Sequence, residues 1–228
     1  MNKTQSRGIK AREGITYLDV SHLDRELTFI YPAKGPNNYF NVRERILESN
    51  LRTPTMSQNA SLVYSAWQNP KEKYSKEIID ILRNSWLWGF NGILYVPKEG
   101  AYIQDNPEVK DSKVVMNKSG LVKKLKSNDP TVRFVEFGSY KPGEQTSKEL
   151  AENKFVQALA SEEGAQKLAE VSTNYKFKPY VWSFNNVDEE FTRVAALLSL
   201  WGGNRLYVAS SSDDVSGCGC ALGVSEAS

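Results

Sequence analysis

The sequence predicts an α+β domain, in which two or more helices pack on short antiparallel sheets. Segments rich in aromatic and β-branched residues alternate with segments whose apolar residues recur every three or four positions. No internal repeat or long linker interrupts this pattern, and 228 residues, of which 40% are hydrophobic, suffice for one buried core. We therefore expect a single domain over residues 15–228, preceded by a polar, flexible leader at 1–14.

The first third of the chain supplies predicted strands on both sides of two helices. The segments ITYLDV (15–20) and LTFIYP (27–32) have the residue types of short strands, and GPNN (35–38) has the turn chemistry that would end the second one. Strands are predicted again over 86–104, where PKEG (97–100) is placed to turn a hairpin.

Helical periodicity begins at Met56 and continues, at spacings of three and four, to Trp67. Ser57 and Asn59 are polar residues near its start that can cap free backbone amides. A second amphipathic helix is expected over 74–84, after a short Asn-Pro connection. Two helices in succession predict a packed pair.

The second half of the chain alternates in the same way. The predicted elements are a strand and short basic helix within 114–126, a strand at 131–138, two helices within 146–173 and a strand at 179–184. We expect Asn117 or Ser119 to cap the basic helix, and the two later helices to separate near Ser161. Large aromatics in such elements are usually core, and we interpret all five tryptophans in this way: Trp67, Trp86, Trp88, Trp182 and Trp201.

Charge and hydropathy exclude several classes of protein. With 29 Lys+Arg against 27 Asp+Glu the net charge is +2, which gives no general attraction to nucleic acid or to a membrane. No apolar stretch approaches the roughly 18 residues that a membrane-spanning helix needs, and the start lacks the apolar region of a signal peptide. We expect no nucleic-acid partner and no membrane insertion, with a cytoplasmic location by default. The basic cluster Lys118, Lys123, Lys124 and Lys126 is interpreted as a solvated helix face.

Few residues could carry catalysis or bind a metal. His22, the one histidine, could activate Cys218 or Cys220 as a thiolate nucleophile. The two cysteines could also bind a soft metal, although two thiolates provide half of a tetrahedral shell. Asp213 and Asp214 could coordinate a hard cation, but a polar loop explains them equally well. We therefore expect no metal and no cofactor.

The C-terminal region has an unusual composition. Between Gly202 and Ser225 the chain contains no Lys, Glu, Gln, Met or Trp, although these types are common elsewhere. Codons with any base in the first two positions and C in the third cannot encode these five types, and they encode every type present. Randomisation at the adenines of AAC codons would produce this set of residue types, and would introduce both cysteines by chance. A small-residue terminal loop is the alternative.

The segment FTRVAALLSLWGGNRLYVASSSDDVSGCGCALGV (191–224) resembles the C-terminal variable region of proteins diversified by retroelements. The segments WLWGFNGILYVPKEGAYIQDNP and KPYVWSFNNVDEEFTRV are similar to the archaeal branch of these variable proteins. The resemblance implies a C-type lectin-like fold of the formylglycine-generating-enzyme type. It also implies a non-enzymatic ligand-binding protein, whose variation arises from adenine-directed errors of reverse transcription.

By position, the resemblance places a framework strand at Arg193, Val194, Ser199 and Trp201 and a closing strand at 221–224, with a variable region at about 193–224. A helical stripe from Val187 to Trp201 competes with this reading, and we favour a strand from about 192. The predicted ligand-binding residues are Leu198, Leu200, Gly202, Gly203, Asn204, Arg205, Tyr207, Ala209, Ser210, Ser211, Ser212, Asp213, Asp214, Ser216, Cys218 and Cys220.

Arg205 and Tyr207 are the predicted anchors of this surface, because Arg and Tyr dominate interface energies. The expected ligand is a protein or a cell-surface molecule. Two rival functions remain open. One is a thiol- or metal-dependent enzyme of the formylglycine-generating type that uses Cys218 and Cys220, and the other is a structural partner with an ordinary polar tail.

Overall fold

The computed structural model describes residues 10–12, 16–199, 203–212 and 217–225. The helices in these ranges are α1 (Tyr39–Leu47), α2 (Met56–Gln68), α3 (Lys73–Asn84), α4 (Lys118–Lys126), α5 (Ser147–Glu152) and α6 (Lys154–Ser172). The strands are β1 (Lys10–Arg12), β2 (Thr16–His22), β3 (Arg25–Asn37), β4 (Trp86–Val96), β5 (Gly100–Asp105), β6 (Glu108–Lys110), β7 (Lys113–Val115), β8 (Val132–Glu136), β9 (Gly143–Glu144), β10 (Tyr180–Trp182), β11 (Phe191–Leu198), β12 (Tyr207–Ser211) and β13 (Gly219–Val224).

An 11-stranded sheet organises the fold. Its main path runs β1-β2-β3-β13-β4-β11-β12-β10-β9, while β5 pairs with β4 and with β8. The strand β13, last in the chain, is antiparallel to β3 and parallel to β4. The chain therefore closes its sheet with its C-terminal strand in the middle, between the strands on either side of the first three helices.

Hydrophobic clusters cover both faces of this sheet. The larger cluster joins Leu18 and Phe29 of the sheet to Leu62, Ile78 and Leu159 of α2, α3 and α6. On the other face, a smaller cluster joins side chains of α1 to β4, β11 and β13; its buried members include Tyr39, Ile46, Trp88, Phe90, Val194, Ala196 and Ala221. Neighbouring residues of β11 thus enter different clusters, as strand alternation requires.

The helix α2 shows how local sequence fixes one of these elements. Thr55 accepts a hydrogen bond from the Gln58 backbone N–H, and the Gln58 side chain accepts one from the Thr55 N–H, which forms a capping box. The prediction that Ser57 and Asn59 supply the cap is therefore wrong. Asn59 instead donates to the carbonyl oxygen of Trp88 at 2.8 Å, which joins α2 to the centre of the sheet.

Most predicted elements are confirmed, including the hairpin of β4 and β5, the Asn117 cap of α4 and the break at Ser161, whose φ is 70° and ψ is 168° inside α6. The GPNN segment was predicted as a turn, and this is wrong. The strand β3 continues to Asn37, and Asn38 then caps α1 by accepting from the Asn41 N–H, so a helix follows that the sequence reading missed.

The predicted leader also needs a correction. Its residues 10–12 form β1, which pairs with β2, whereas 1–9 and 13–15 lie outside the described residues. No described helix is long and apolar enough to cross a membrane.

Candidate ligand-binding surface

The strands β11 and β12 carry the region for which variation is predicted. They pair antiparallel, with Leu198 opposite Tyr207, Ala196 opposite Ala209 and Val194 opposite Ser211. The strand prediction from about residue 192 is thus confirmed over the helical alternative. Ser199 follows the strand and is fully buried, while Trp201 lies outside the described residues.

The predicted closing strand is confirmed as part of β13. All its residues are buried, and Leu222 enters the larger hydrophobic cluster. Gly219, at the start of β13, faces the Trp88 indole so closely that an added Cβ would lie 1.9 Å from Nε1. The end of the variable region is therefore fixed by packing at the centre of the sheet.

The predicted ligand-binding residues divide by exposure. Asn204 and Cys218 are exposed, and a further group is half-buried: Gly203, Arg205, Tyr207, Ser210 and Ser212. Leu200, Gly202, Asp213, Asp214 and Ser216 lie outside the described residues. Gly203 has a φ of 64°, in the left-handed region, so other residues at this position would be strained.

Three residues of the predicted surface are buried away from it, and their placement on it is wrong: Leu198, Ala209 and Cys220. Ala209 shows the reason, because in the sheet register it lies between Ala196 of β11 and Trp182 of β10. Its methyl group is 0% exposed between these neighbours. Cys220 belongs to the central strand β13, where it lies opposite Leu87 of β4. Ser211 is 8% exposed and lines a groove at the end of β12.

Tyr207 belongs to a group of aromatic rings contributed by β10 and β12. Its ring centroid lies 5.9 Å from that of Tyr180 and 5.9 Å from that of Trp182. Trp182 is 42% exposed, so its interpretation as a core residue is wrong. These three residues are called the aromatic face below. Strand alternation in PYVWSF could have placed Tyr180 and Trp182 on one side, but it could not have shown that this side is open.

Arg205 extends the aromatic face toward β9. Its guanidinium forms an ion pair with Glu144 at 2.6 Å, and lies 5.8 Å from the ring centroids of both Phe177 and Tyr180. Phe177 is itself 47% exposed. A planar cation held against aromatic rings and a carboxylate is preorganised to contact a ligand, because little side-chain freedom is left to lose on binding.

A groove of about 650 Å³ lies next to the aromatic face, where β10 and β12 end and β11 begins. Its lining includes Trp86, Tyr180, Trp182, Ser183, Phe184, Arg193, Ser210, Ser211 and Ser212. The sequence reading missed Ser183, Phe184 and Arg193 as candidates for binding, because Ser183 and Phe184 lie before the variable region and Arg193 was interpreted as framework.

Ser210 connects this groove to the core. It accepts a hydrogen bond from the Tyr95 hydroxyl at 2.9 Å, and its own hydroxyl donates to the Trp182 carbonyl oxygen at 3.0 Å. Burial raises the pKa of Tyr95, so that its hydroxyl stays protonated. Ser210 is therefore less free to change than its partial exposure indicates.

The two thiols differ in environment and form no disulfide. Cys218 is exposed and Cys220 is buried. Burial raises the pKa of Cys220, which favours the protonated and less nucleophilic form. His22 is hydrogen-bonded to Ser61, at 3.0 Å, rather than to either cysteine. Within the described ranges, no three His, Cys, Asp or Glu residues lie together as a possible metal site.

Comparison with known proteins identifies the fold. No model of a protein family matches the chain, and no curated protein matches it. Among solved structures, the chain is similar to one whose description is "Accommodation of massive sequence variation in Nanoarchaeota by the C-type lectin fold". The two share 15% sequence identity with a TM-score of 0.56, over 85% of this chain and 97% of the other. The protein therefore has a C-type lectin fold, as predicted.

Proposed function

We propose that the protein binds a ligand through a diversified surface displayed on its C-type lectin scaffold. The observation that carries the proposal is the division of residues within 203–212. Leu206 and Val208 are fully buried in the larger cluster, whereas Asn204, Arg205 and Tyr207 reach the surface beside the aromatic face. Inward residues hold the segment, and outward residues can change without disturbing the core.

Backbone hydrogen bonds support the same division. The Phe177 N–H donates to the Asn204 carbonyl oxygen, and the Tyr180 N–H donates to that of Leu206, each at 2.9 Å. Such bonds do not depend on the identity of the side chain. The segment is therefore held in place by groups that mutation leaves unchanged.

We further propose that a retroelement generates the diversity through adenine-directed mutagenesis. The absence of Lys, Glu, Gln, Met and Trp between Gly202 and Ser225 supports this, since these are the types that randomised AAC codons cannot produce. The structural neighbour from Nanoarchaeota is described as accommodating massive sequence variation on the same fold.

The ligand that we propose is a protein or another cell-surface molecule. Tyr, Ser and Asn are favoured in antibody-like binding surfaces, where Tyr supplies rigid contact area and the smaller residues adaptable hydrogen bonds. Tyr207, Asn204 and Ser212 provide these types around the aromatic face. Arg205 adds a cation fixed by Glu144.

Sequencing the gene across a natural population tests the diversification. We expect substitutions to concentrate at Asn204, Arg205, Tyr207 and Ser212, and to fall at codon positions that carry adenine in a template copy. Leu206 and Val208 should stay constant. Substitutions spread evenly over these positions, or unrelated to adenine, would contradict the proposal.

A displayed library tests binding directly. Asn204, Arg205, Tyr207 and Ser212 are randomised together, and the library is selected against a panel of unrelated purified proteins. We expect folded variants with ligand-specific binding, because these four positions are exposed or half-buried, and a substitution at the protein surface usually changes the free energy of unfolding by no more than about 0.5 kcal/mol. A matched control library randomises four buried positions: Leu198, Leu206, Val208 and Ala209. Most variants of this library should fail to fold and should therefore not be displayed. Folded variants without any selectable binding would refute the proposed function.

A further inference from the structure

The groove beside the aromatic face contains chemistry that lies outside the predicted ligand-binding residues. Trp182, Ser183 and Phe184 precede the predicted variable region, and the half-buried Arg193 lies near the start of β11, opposite Ile93 of β4. The carbonyl oxygen of Phe184 accepts a hydrogen bond from the buried Tyr140 hydroxyl, which fixes the backbone at this wall. This wall of the groove is held both by the core, through Tyr140, and by β12, since the Ser210 hydroxyl donates to the Trp182 carbonyl oxygen.

Arg193 brings a cation to the groove. Its guanidinium carbon lies 4.5 Å from the ring centroid of Phe191, and Nη1 donates to the Thr192 carbonyl oxygen at 3.1 Å. Over the described ranges of the chain, it forms no ion pair with an Asp or Glu. By contrast, Arg205 is already paired with Glu144. Among the residues that the structure describes, no carboxylate therefore balances the charge of this guanidinium in the groove.

Ser183 adds a hydroxyl to the lining of the groove. Its Oγ atom is buried and has no hydrogen-bond partner among the residues that the structure describes. Buried polar atoms in folded proteins are nearly always hydrogen-bonded, and an exception calls for a reason. Rotation of Ser183 about χ1 to another staggered rotamer would bring this hydroxyl to a ligand atom in the groove, which would give it a partner.

We propose that the groove is a constant subsite for a carboxylate, and that its occupant is an acidic side chain of a protein ligand beside an aromatic or aliphatic residue. Arg193 binds the carboxylate, the Ser183 hydroxyl donates to it, and Trp182 and Phe184 pack against the apolar neighbour. Guanidinium matches the planar carboxylate geometry, and a charge-assisted hydrogen bond is about twice as strong as a neutral one.

The subsite deepens the proposed function and rests on it. Residues 203–212 would select among ligands, while the groove would contact an acidic residue in all of them. The exposed rings explain why the occupant is a protein segment rather than an isolated anion. Trp182 and Phe184, which are 42% and 39% exposed, provide apolar surface that a free inorganic anion would leave in contact with water.

The test uses a pair of capped pentapeptides, one with a glutamate between two phenylalanines and one with glutamine in its place. Affinity for the full chain is measured by NMR titration. We expect the glutamate peptide to bind about tenfold more tightly, which corresponds to about 1.4 kcal/mol. Arg193→Gln should abolish this preference and Arg193→Lys should retain part of it, because lysine keeps the charge without the planar fork. Ser183→Ala should reduce it about threefold.

Arg43→Gln is the matched control and should leave the preference for glutamate unchanged, because Arg43 lies on α1, pairs with Glu44, and belongs neither to the groove lining nor to the predicted ligand-binding residues. Thermal unfolding of each variant establishes that it is folded. Equal affinity for the two peptides, no binding of either, or an unchanged preference in folded Arg193→Gln would overturn the subsite. If any of these results is obtained while the displayed library yields ligand-specific binders, the subsite is refuted and the proposed function is not. A retained glutamate preference with an unproductive library would refute the proposed function alone.

Discussion

Substitution of Gly219 by alanine tests how tightly the end of the variable region is fixed. The added Cβ would lie 1.9 Å from Nε1 and 2.2 Å from Cε2 of Trp88, distances that non-bonded atoms do not adopt. The indole must therefore move. Its Nε1 donates to the Asn37 carbonyl oxygen at 3.3 Å, so movement also weakens a bond between β4 and β3.

The expected cost follows from these two effects. Overpacking of a well-packed core costs about 1–3 kcal/mol, and loss of a hydrogen bond adds about 1 kcal/mol. For a domain of this size, a total of about 2–4 kcal/mol lowers Tm by about 4–16 °C. Differential scanning calorimetry measures this, with Gly120→Ala as the control. Gly120 is exposed in α4, where its Cβ would meet one atom at 3.9 Å, and alanine there should be neutral or stabilising.

A double-mutant cycle with Trp88→Phe separates the clash from other causes. Phenylalanine lacks Nε1 and the five-membered ring, so much of the cost of Gly219→Ala should disappear in the Trp88→Phe background. We expect a coupling free energy of about 1 kcal/mol or more. An unchanged Tm for Gly219→Ala, or strict additivity of the two substitutions, would refute the packing argument and reopen position 219 to variation.

Three further results are expected. First, burial and the nearby charge of Lys167 lower the pKa of His22 below 6.5. Because the unfolded chain then binds a proton at His22 more readily than the folded chain, the free energy of unfolding should fall as the pH drops below about 6.5. His22→Gln should flatten the curve of Tm against pH. Second, Ala209→Asp should cost about 3 kcal/mol or more, because it places an unpaired charge at a fully buried position, and an unchanged Tm would contradict the register of β12. Third, Arg205→Ala and Tyr207→Ala should each lower Tm by no more than about 4 °C. Each should nevertheless weaken the binding of a library-selected ligand by about 2 kcal/mol. Unchanged affinity in both variants would argue against their role as anchors.

Sequence patterns predicted the elements of this fold better than their arrangement. Apolar spacing identified α2 and α3, and alternation identified β4 and β5, because each pattern reflects local geometry. The order of strands was beyond such reasoning. Nothing local to β13 indicates that it enters the sheet between β3 and β4, since this pairing joins residues far apart in sequence.

The candidate site shows the same limit at the level of single residues. Alternation correctly places Leu206 and Val208 inward, but it treats Ala209 and Tyr207 alike, although one is buried and the other reaches the surface. The difference arises from neighbours across the sheet and from side-chain length. Similarly, the prediction that Trp182 lies in the core follows from the usual position of large aromatics, whereas the two residues of β9 pair with Tyr180 and Val181 and leave Trp182 unpaired on that side.

The position of the proposed variable region in the sheet explains how the proposed variation could coexist with stability. Its described residues 203–212 lead into and include β12, which lies between β10 and β11, while its last strand, β13, lies between β3 and β4. Inward side chains and backbone bonds secure each strand, so the free energy of folding depends little on outward residues such as Asn204 and Tyr207. Tolerance should end where the backbone is strained or crowded, at Gly203 and Gly219. Under the proposed function, the glycines near the two ends of the surface thus set the limits of its diversity.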